Sequence, residues 1–140
     1  MEKDTNNRII KFRGKRINGG EWVESMTISN GTIKRKMYDV FFEVQPDKWV
    51  GVISETVGQF TGKTDKNKKY IYEGDIVRVY AKDGTFDIVV KWSNDSMAFM
   101  ACYVDGNQSP FSWFTNLLVY ELEVIGNVFD NPELLKGDKS

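Results

Sequence analysis

The chain has 140 residues, 41% hydrophobic and 14% aromatic, with 19 Lys/Arg against 20 Asp/Glu. That is the size of one ordinary domain or two small subdomains, with enough apolar side chains for a core, which excludes whole-chain disorder. One cysteine, Cys102, and no histidine exclude an internal disulfide, a thiolate zinc cage and any imidazole-based nucleophile pair or metal site within one chain.

The opening MEKDTNNR is polar and lacks the apolar core of a signal peptide. No apolar stretch approaches membrane-spanning length, so a soluble cytoplasmic protein is expected. RIIKFRGKRI reads as a strand, with Ile10 and Phe12 on one face and Lys11, Arg13 and Lys15 alternating on the other. EWVESMTIS comes next as a strand with Trp22, Met26 and Ile28 on one face and Glu24 as the exception. Ser29-Asn30-Gly31-Thr32 then sets Asn-Gly between two strand-like runs, a strong hairpin signal. TIKRKMYDVFFEV is basic in its first half and apolar on alternate residues from Tyr38 to Val44. Pro46-Asp47-Lys48 is a turn, and WVGVI is a short buried strand.

Beyond Gly74 the alternation is cleaner. DIVRVYA leads through the turn Lys82-Asp83-Gly84-Thr85 into FDIVVKW, with Phe86, Ile88, Val90 and Trp92 on one face and Asp87 and Lys91 on the other. MAFMACYV is apolar on both faces and should be buried on both sides or packed at a barrel corner. Asp105-Gly106 marks a further hairpin. PFSWFTNLL, residues 110–118, is a short helix or a bent loop. ELEVIGNVF is the last strand, with Gly126 marking a bulge or a close backbone approach. Asn131-Pro132-Glu133-Leu134-Leu135 reads as one helical turn with Asn131 as cap and Pro132 first. Short strands between Gly/Asp/Asn turns read as a small barrel or sandwich.

The stretch TGKTDKNKKYIYEGDIVRV, Thr61 to Val79, holds Gly-Lys-Thr, the end of a nucleotide-binding loop. The full motif needs a glycine five places before Gly62, and that position is Val57. The motif must also open a helix, whose N-terminus holds phosphate. The residues after Thr64 read as a turn and a strand, so this is a basic β-loop.

Three blocks, NNRIIKFRGKRINGGEWV, TVGQFTGKTDKNKKYIYEGDIVRV and EVIGNVFDNPELL, lie in order across nearly the whole chain. Together they resemble the YopX family, small proteins encoded mainly by bacteriophages and prophages of Gram-positive bacteria. The resemblance implies an SH3-type small barrel and a phage or prophage origin in a bacterial host cell. It carries over no catalytic or binding residue, because the family has none established. Family members often have glycine near position 68, where this chain reads DKNKKY, a departure that leaves the turn type open.

Few chemistries remain. Cys102 lies in an apolar run, where burial makes a thiol inert. Glu73/Asp75 and Glu121/Glu123 each share a strand face, a geometry open to acid–base work or Mg²⁺. Asp75 reads better as a turn residue, however, and Glu121/Glu123 as a solvated face. Residues 1–72 carry 14 Lys/Arg and 9 Asp/Glu, a balance of +5, and residues 73–140 carry 5 and 11, a balance of −6. Such a split suits a polyanion partner, attraction between the halves, or stacking of like units. The basic clusters are Lys34, Arg35 and Lys36, and Lys63, Lys66, Lys68 and Lys69. With neighbouring aromatics they form a candidate nucleic-acid surface, weighed against simple protection of sheet edges.

The expectation is therefore an all-β protein, an SH3-like small barrel with an additional N-terminal β-rich subdomain. Residues 1–70 are the subdomain, 71–129 the barrel and 130–140 a C-terminal turn and tail. No cofactor, metal or catalytic residue is expected. The function is a non-enzymatic interaction or assembly module, with a nucleic-acid-binding module as the alternative. A protein partner or a second copy is expected, and no membrane. Phe111, Trp113, Phe114, Leu117 and Leu118 are the candidate self-association residues, or else a plug for the barrel.

Overall fold

The structure, a computed structural model, describes residues 8–30, 40–115 and 119–136. It is all-β, and its described residues contain no α-helix; no helix is long and apolar enough to cross a membrane. Contacts divide the chain into two units, Met1–Gly62 and Lys63–Ser140.

The first unit runs through β1 (Phe12–Lys15), β2 (Trp22–Ser25), β3 (Ile28–Asn30), β4 (Val40–Gln45), β5 (Lys48–Val52), a 3-10 turn over Ser54–Thr56, and β6 (Gly58–Thr64). The last two residues of β6 belong to the second unit. β2, β1 and β6 are neighbours in one antiparallel sheet, and β3, β4 and β5 in another. The single strand expected over EWVESMTIS is thus two strands in different sheets. Ser25 marks the break: its hydroxyl accepts the Thr27 N–H at 2.8 Å and donates to the Glu43 carbonyl at 2.7 Å. A serine that satisfies backbone groups in this way replaces ladder bonds and ends the strand. Met26, next in line, is exposed instead of sharing a buried face with Trp22.

Phe42, Val50 and Val52 form the core of this unit, with Phe12, Val23, Val40, Val44 and Val57 packed around them. Gly14 lets β1 approach closely, since a Cβ there would lie 3.2 Å from Val52 Cβ and 3.4 Å from Phe42 Cζ. The Asn30-Gly31 hairpin and the basic half of the following run fall partly outside the described residues.

The second unit runs through β7 (Tyr70–Tyr72), β8 (Asp75–Ala81), β9 (Gly84–Ser93), β10 (Ala98–Tyr103), β11 (Gln108–Pro110), a 3-10 segment over Phe111–Thr115, β12 (Val119–Asn127), and a 3-10 turn over Pro132–Lys136. Five of its strands form an antiparallel sheet in the order β11-β10-β9-β8-β12. Alternation along each strand sorts its side chains between two cores. Val77, Val79, Ile88, Val90, Ala101 and Leu122 are buried with Ile71, Phe111 and Phe114. Ile76, Val89, Met100 and Cys102 are buried with Ile125, Val128 and Leu135 packed on them. The middle of MAFMACYV, Met100 to Cys102, is buried on both faces of β10, while its ends, Met97 and Val104, are exposed. Trp92 stays 46% exposed and meets Phe99, its partner across the strands, edge-on at 5.2 Å. None of the described sheets closes into a barrel, since β11 and β12 stand at the two ends of this one.

Candidate functional site

Gly62, Lys63 and Thr64 are the last residues of β6, with Gly62 at φ +95°. The chain then turns through Asp65–Lys69 into β7. A strand–turn–strand offers no helix N-terminus to hold phosphate. Mg²⁺-ATP and Mg²⁺-GTP are expected to give no thermal shift and no heat of binding; a shift lost in Lys63→Ala would overturn this.

Asp65 organises the turn. Its Oδ1 accepts the N–H groups of Asn67 at 2.8 Å and Lys69 at 2.9 Å, and its Oδ2 accepts the Val124 N–H at 2.9 Å. Beside it the Lys66 N–H donates to the Leu122 carbonyl at 2.8 Å. The turn therefore lies along the β12 edge that β8 leaves unpaired, and satisfies part of it. Covering a long edge strand is a standard defence against pairing with another chain. Burial pushes the Asp65 carboxyl up, but the backbone donors of Val124, Lys69 and Asn67, helped by the Lys69 charge, outweigh it and hold the group below its ordinary value. Lys68 takes the left-handed conformation, φ +68°, where glycine is at ease. The Asp65 bonds to Asn67 and Lys69, on either side of Lys68, hold a lysine in that place.

The basic cluster of this turn is partly neutralised within its own unit. Lys66 Nζ lies 3.5 Å from Glu121 and 3.9 Å from Glu123, and 5.0 Å from the centre of the Tyr80 ring. Tyr80 donates its hydroxyl to Glu123 at 2.7 Å. Desolvation works against the Lys66 ammonium, and the Glu123 and Glu121 carboxylates outweigh it, raising the group above ordinary lysine. Glu121 and Glu123 thus anchor Lys66 on the strand face. Lys68 and Lys69 are exposed and Lys63 is half-buried; Lys34, Arg35 and Lys36 lie outside the described residues. Asp75, expected as a turn residue, is the buried first residue of β8, just after the Glu73-Gly74 turn, and its Oδ2 accepts the Tyr72 N–H at 2.7 Å. Burial pushes the Cys102 thiol up, so it reacts slowly and chiefly at alkaline pH.

Phe111 and Phe114 are buried in the second unit's core, their rings 6.4 Å apart. They are core residues of an open sheet and do not close the end of a barrel. The side chain of Trp113 and all of Leu117 and Leu118 lie outside the described residues.

Exposed apolar side chains occur in both units, and in the first some of them share one sheet face. Gly51 pairs with Phe41, and Trp49 with Glu43, so Phe41, Trp49 and Gly51 share the outer face of the β3-β4-β5 sheet. Ile17 lies over Gly51: a Cβ there would stand 3.2 Å from Ile17 Cδ1 and 3.5 Å from Phe41 Cε1. The Ile17 N–H is fixed to the Gly51 carbonyl at 3.0 Å. Ile17 is 57% and Trp49 42% exposed, and Ile53 is exposed at the strand's end. Sequence reasoning missed this face, although WVGVI is apolar on both alternations and a two-layer unit buries only one of them.

A second face of the unit is basic and aromatic. Arg13 lies 4.6 Å and Lys15 Nζ 5.6 Å from the Trp22 ring centre. Two neighbouring cations are answered by acids of the β2 region, Lys11 by Glu24 at 3.3 Å and Arg16 by Glu21 at 2.9 Å.

Fold and surfaces define a two-unit, all-antiparallel β protein with a guarded edge and an apolar sheet face. The family model described as YopX protein matches residues 11–136. The chain belongs to the YopX family. Among solved structures, it is similar to protein EF1440 from Enterococcus faecalis, with a TM-score of 0.56 and 23% identity over 92% of this chain and 99% of that one. Likeness at that identity concerns the fold alone. No curated protein matches in sequence.

Proposed function

We propose that this YopX-family chain is a phage or prophage accessory protein that works by binding rather than catalysis, and that it self-associates through the outer face of β3-β4-β5. The observation that carries this reading is that Ile17 and Trp49, both exposed among the described residues, lie on the outer face that carries Gly51. Glu43, opposite Trp49, shares this face, so a twofold pairing sets a polar group at the rim of an apolar centre. The contact is apolar more than electrostatic. Residues 1–62 carry 10 Lys/Arg and 8 Asp/Glu, a balance of +2, and residues 63–140 carry 9 and 12, a balance of −3. Much of the charge split lay in the lysines of the 63–69 turn, which fold with the acidic unit.

Light scattering coupled to size exclusion tests the reading. A mass above 16.1 kDa is expected at both low and high salt, falling to the monomer in Trp49→Asp. A monomer at high micromolar concentration in both buffers contradicts it, and dissociation by salt alone transfers the contact to the charges.

We further read the second unit as SH3-like. Its five strands form a meander whose first and last strands, β8 and β12, are neighbours, with a 3-10 segment ahead of the last. The Arg13–Trp22–Lys15 face favours nucleic acid as a second reading, because cations beside an aromatic ring suit phosphate and base together. On that reading single-stranded DNA binds with an affinity that falls steeply with salt and is lost when Lys34, Arg35 and Lys36 are replaced together with Arg13 and Lys15. Salt-independent binding removes it.

A further inference from the structure

The second unit holds a cleft of about 360 Å³ on the face of β9 and β10 that the C-terminal segment partly covers. Pockets that take small molecules begin at roughly 300 Å³ and are mostly apolar, with a few fixed polar groups. Here Val89 forms the floor beside Cys102, its partner across the strands, while Val104, Val128 and Leu135 form the walls. Two charged residues, Asp87 and Lys91, share Val89's alternation along β9 at the cleft's margin. They are not equivalent. Asp87 is held by Arg78 through two bonds, Oδ1 to Nε at 2.9 Å and Oδ2 to Nη2 at 3.2 Å. Lys91 is exposed and forms no ion pair among the described residues. The uncommitted charge of the cleft is therefore positive.

We infer that this cleft binds a small amphipathic anion, its aliphatic part against Val89, Val104, Val128 and Leu135 and its acidic head at the Lys91 ammonium. The residues lining the cleft all belong to the second unit, whereas the apolar face belongs to the first.

The chain's single cysteine gives a local readout. Cys102 lines the floor, so a ligand in the cleft shields it from alkylation, and binding elsewhere does not. With decanoate as probe and the full chain under mildly alkaline conditions, saturating ligand is expected to slow Cys102 alkylation several-fold. Lys91→Glu, a change at an exposed position, is expected to weaken decanoate about tenfold, the size of losing one favourable charge near a protein surface. Val104→Trp, which fills the cleft from its exposed wall, is expected to abolish the protection. Unchanged alkylation in decanoate would overturn the inference, as would equal protection by neutral 1-decanol or an undiminished effect in Lys91→Glu.

Discussion

Asp65→Ala is expected to lower unfolding stability by about 3–4 kcal/mol, because a carboxylate bond to a backbone N–H contributes roughly 1.5–3 kcal/mol and stranded donors add to the loss. Three N–H groups, of Asn67, Lys69 and Val124, lose their acceptor at once. Urea unfolding measures this as a fall in midpoint with little change in slope. Asp65→Asn, which keeps one oxygen acceptor and the shape, should lose less. The β12 edge, no longer covered, should also make Asp65→Ala more prone to aggregate. The same carboxylate sets a pH dependence. Its folded value lies below the ordinary 3.8. Its contribution is therefore complete above the unfolded value and fades as pH falls through the folded one. Wild type should lose stability on acidification from about pH 4 downward, and Asp65→Asn should lose less over that range. Parallel acid profiles for the two would show that the turn is held by something else.

Gly126→Val is expected to cost roughly 2–3 kcal/mol through overpacking. The β8–β12 register shifts between Val124 and Gly126, and Asn131 folds back onto the bulge. A Cβ at 126 would stand 2.6 Å from Asn131 Oδ1 and 2.8 Å from Asn131 Cγ. Asn131 cannot easily withdraw, since Oδ1 accepts the Asn127 N–H at 3.2 Å. Thermal melts should place Gly126→Val well below wild type. The pair Gly126→Ala with Asn131→Gly should recover much of the loss of Gly126→Ala alone. No recovery would mean that the strain is in the backbone.

Those two positions illustrate what sequence reading reaches in this chain. Gly126 was legible, because a glycine inside an otherwise good strand has few uses other than a bulge or a close approach. β9 was legible for a similar reason, since FDIVVKW alternates cleanly after a turn, whereas β11 was not read as a strand. Asp65 was not, because in sequence it is one charge in a basic run. Its role depends on Val124, 59 residues away, and no local pattern encodes that pairing. The break at Ser25 was missed because alternation continues through it, while a single hydroxyl decides where the ladder stops. Phe111 and Phe114 could be read as surface or plug, and only the packing against Val79 and Leu122 makes them core. The apolar face of the first unit was hidden by the opposite problem. WVGVI is apolar throughout, and which half of it faces water depends on where Phe42 and Ile17 come to lie.

Trp49 and Trp92 allow the central claim to be tested within one sample, because they are 42% and 46% exposed and sit in different units. Hydroxyl-radical footprinting, run on dilute and on concentrated protein and read by mass spectrometry, reports the solvent access of each side chain. Self-association through the first unit predicts that oxidation of Trp49 and Ile17 falls as concentration rises, while Trp92 is oxidised at the same rate throughout. Concentration-independent oxidation of Trp49, or protection that appears at Trp92 instead, would contradict it.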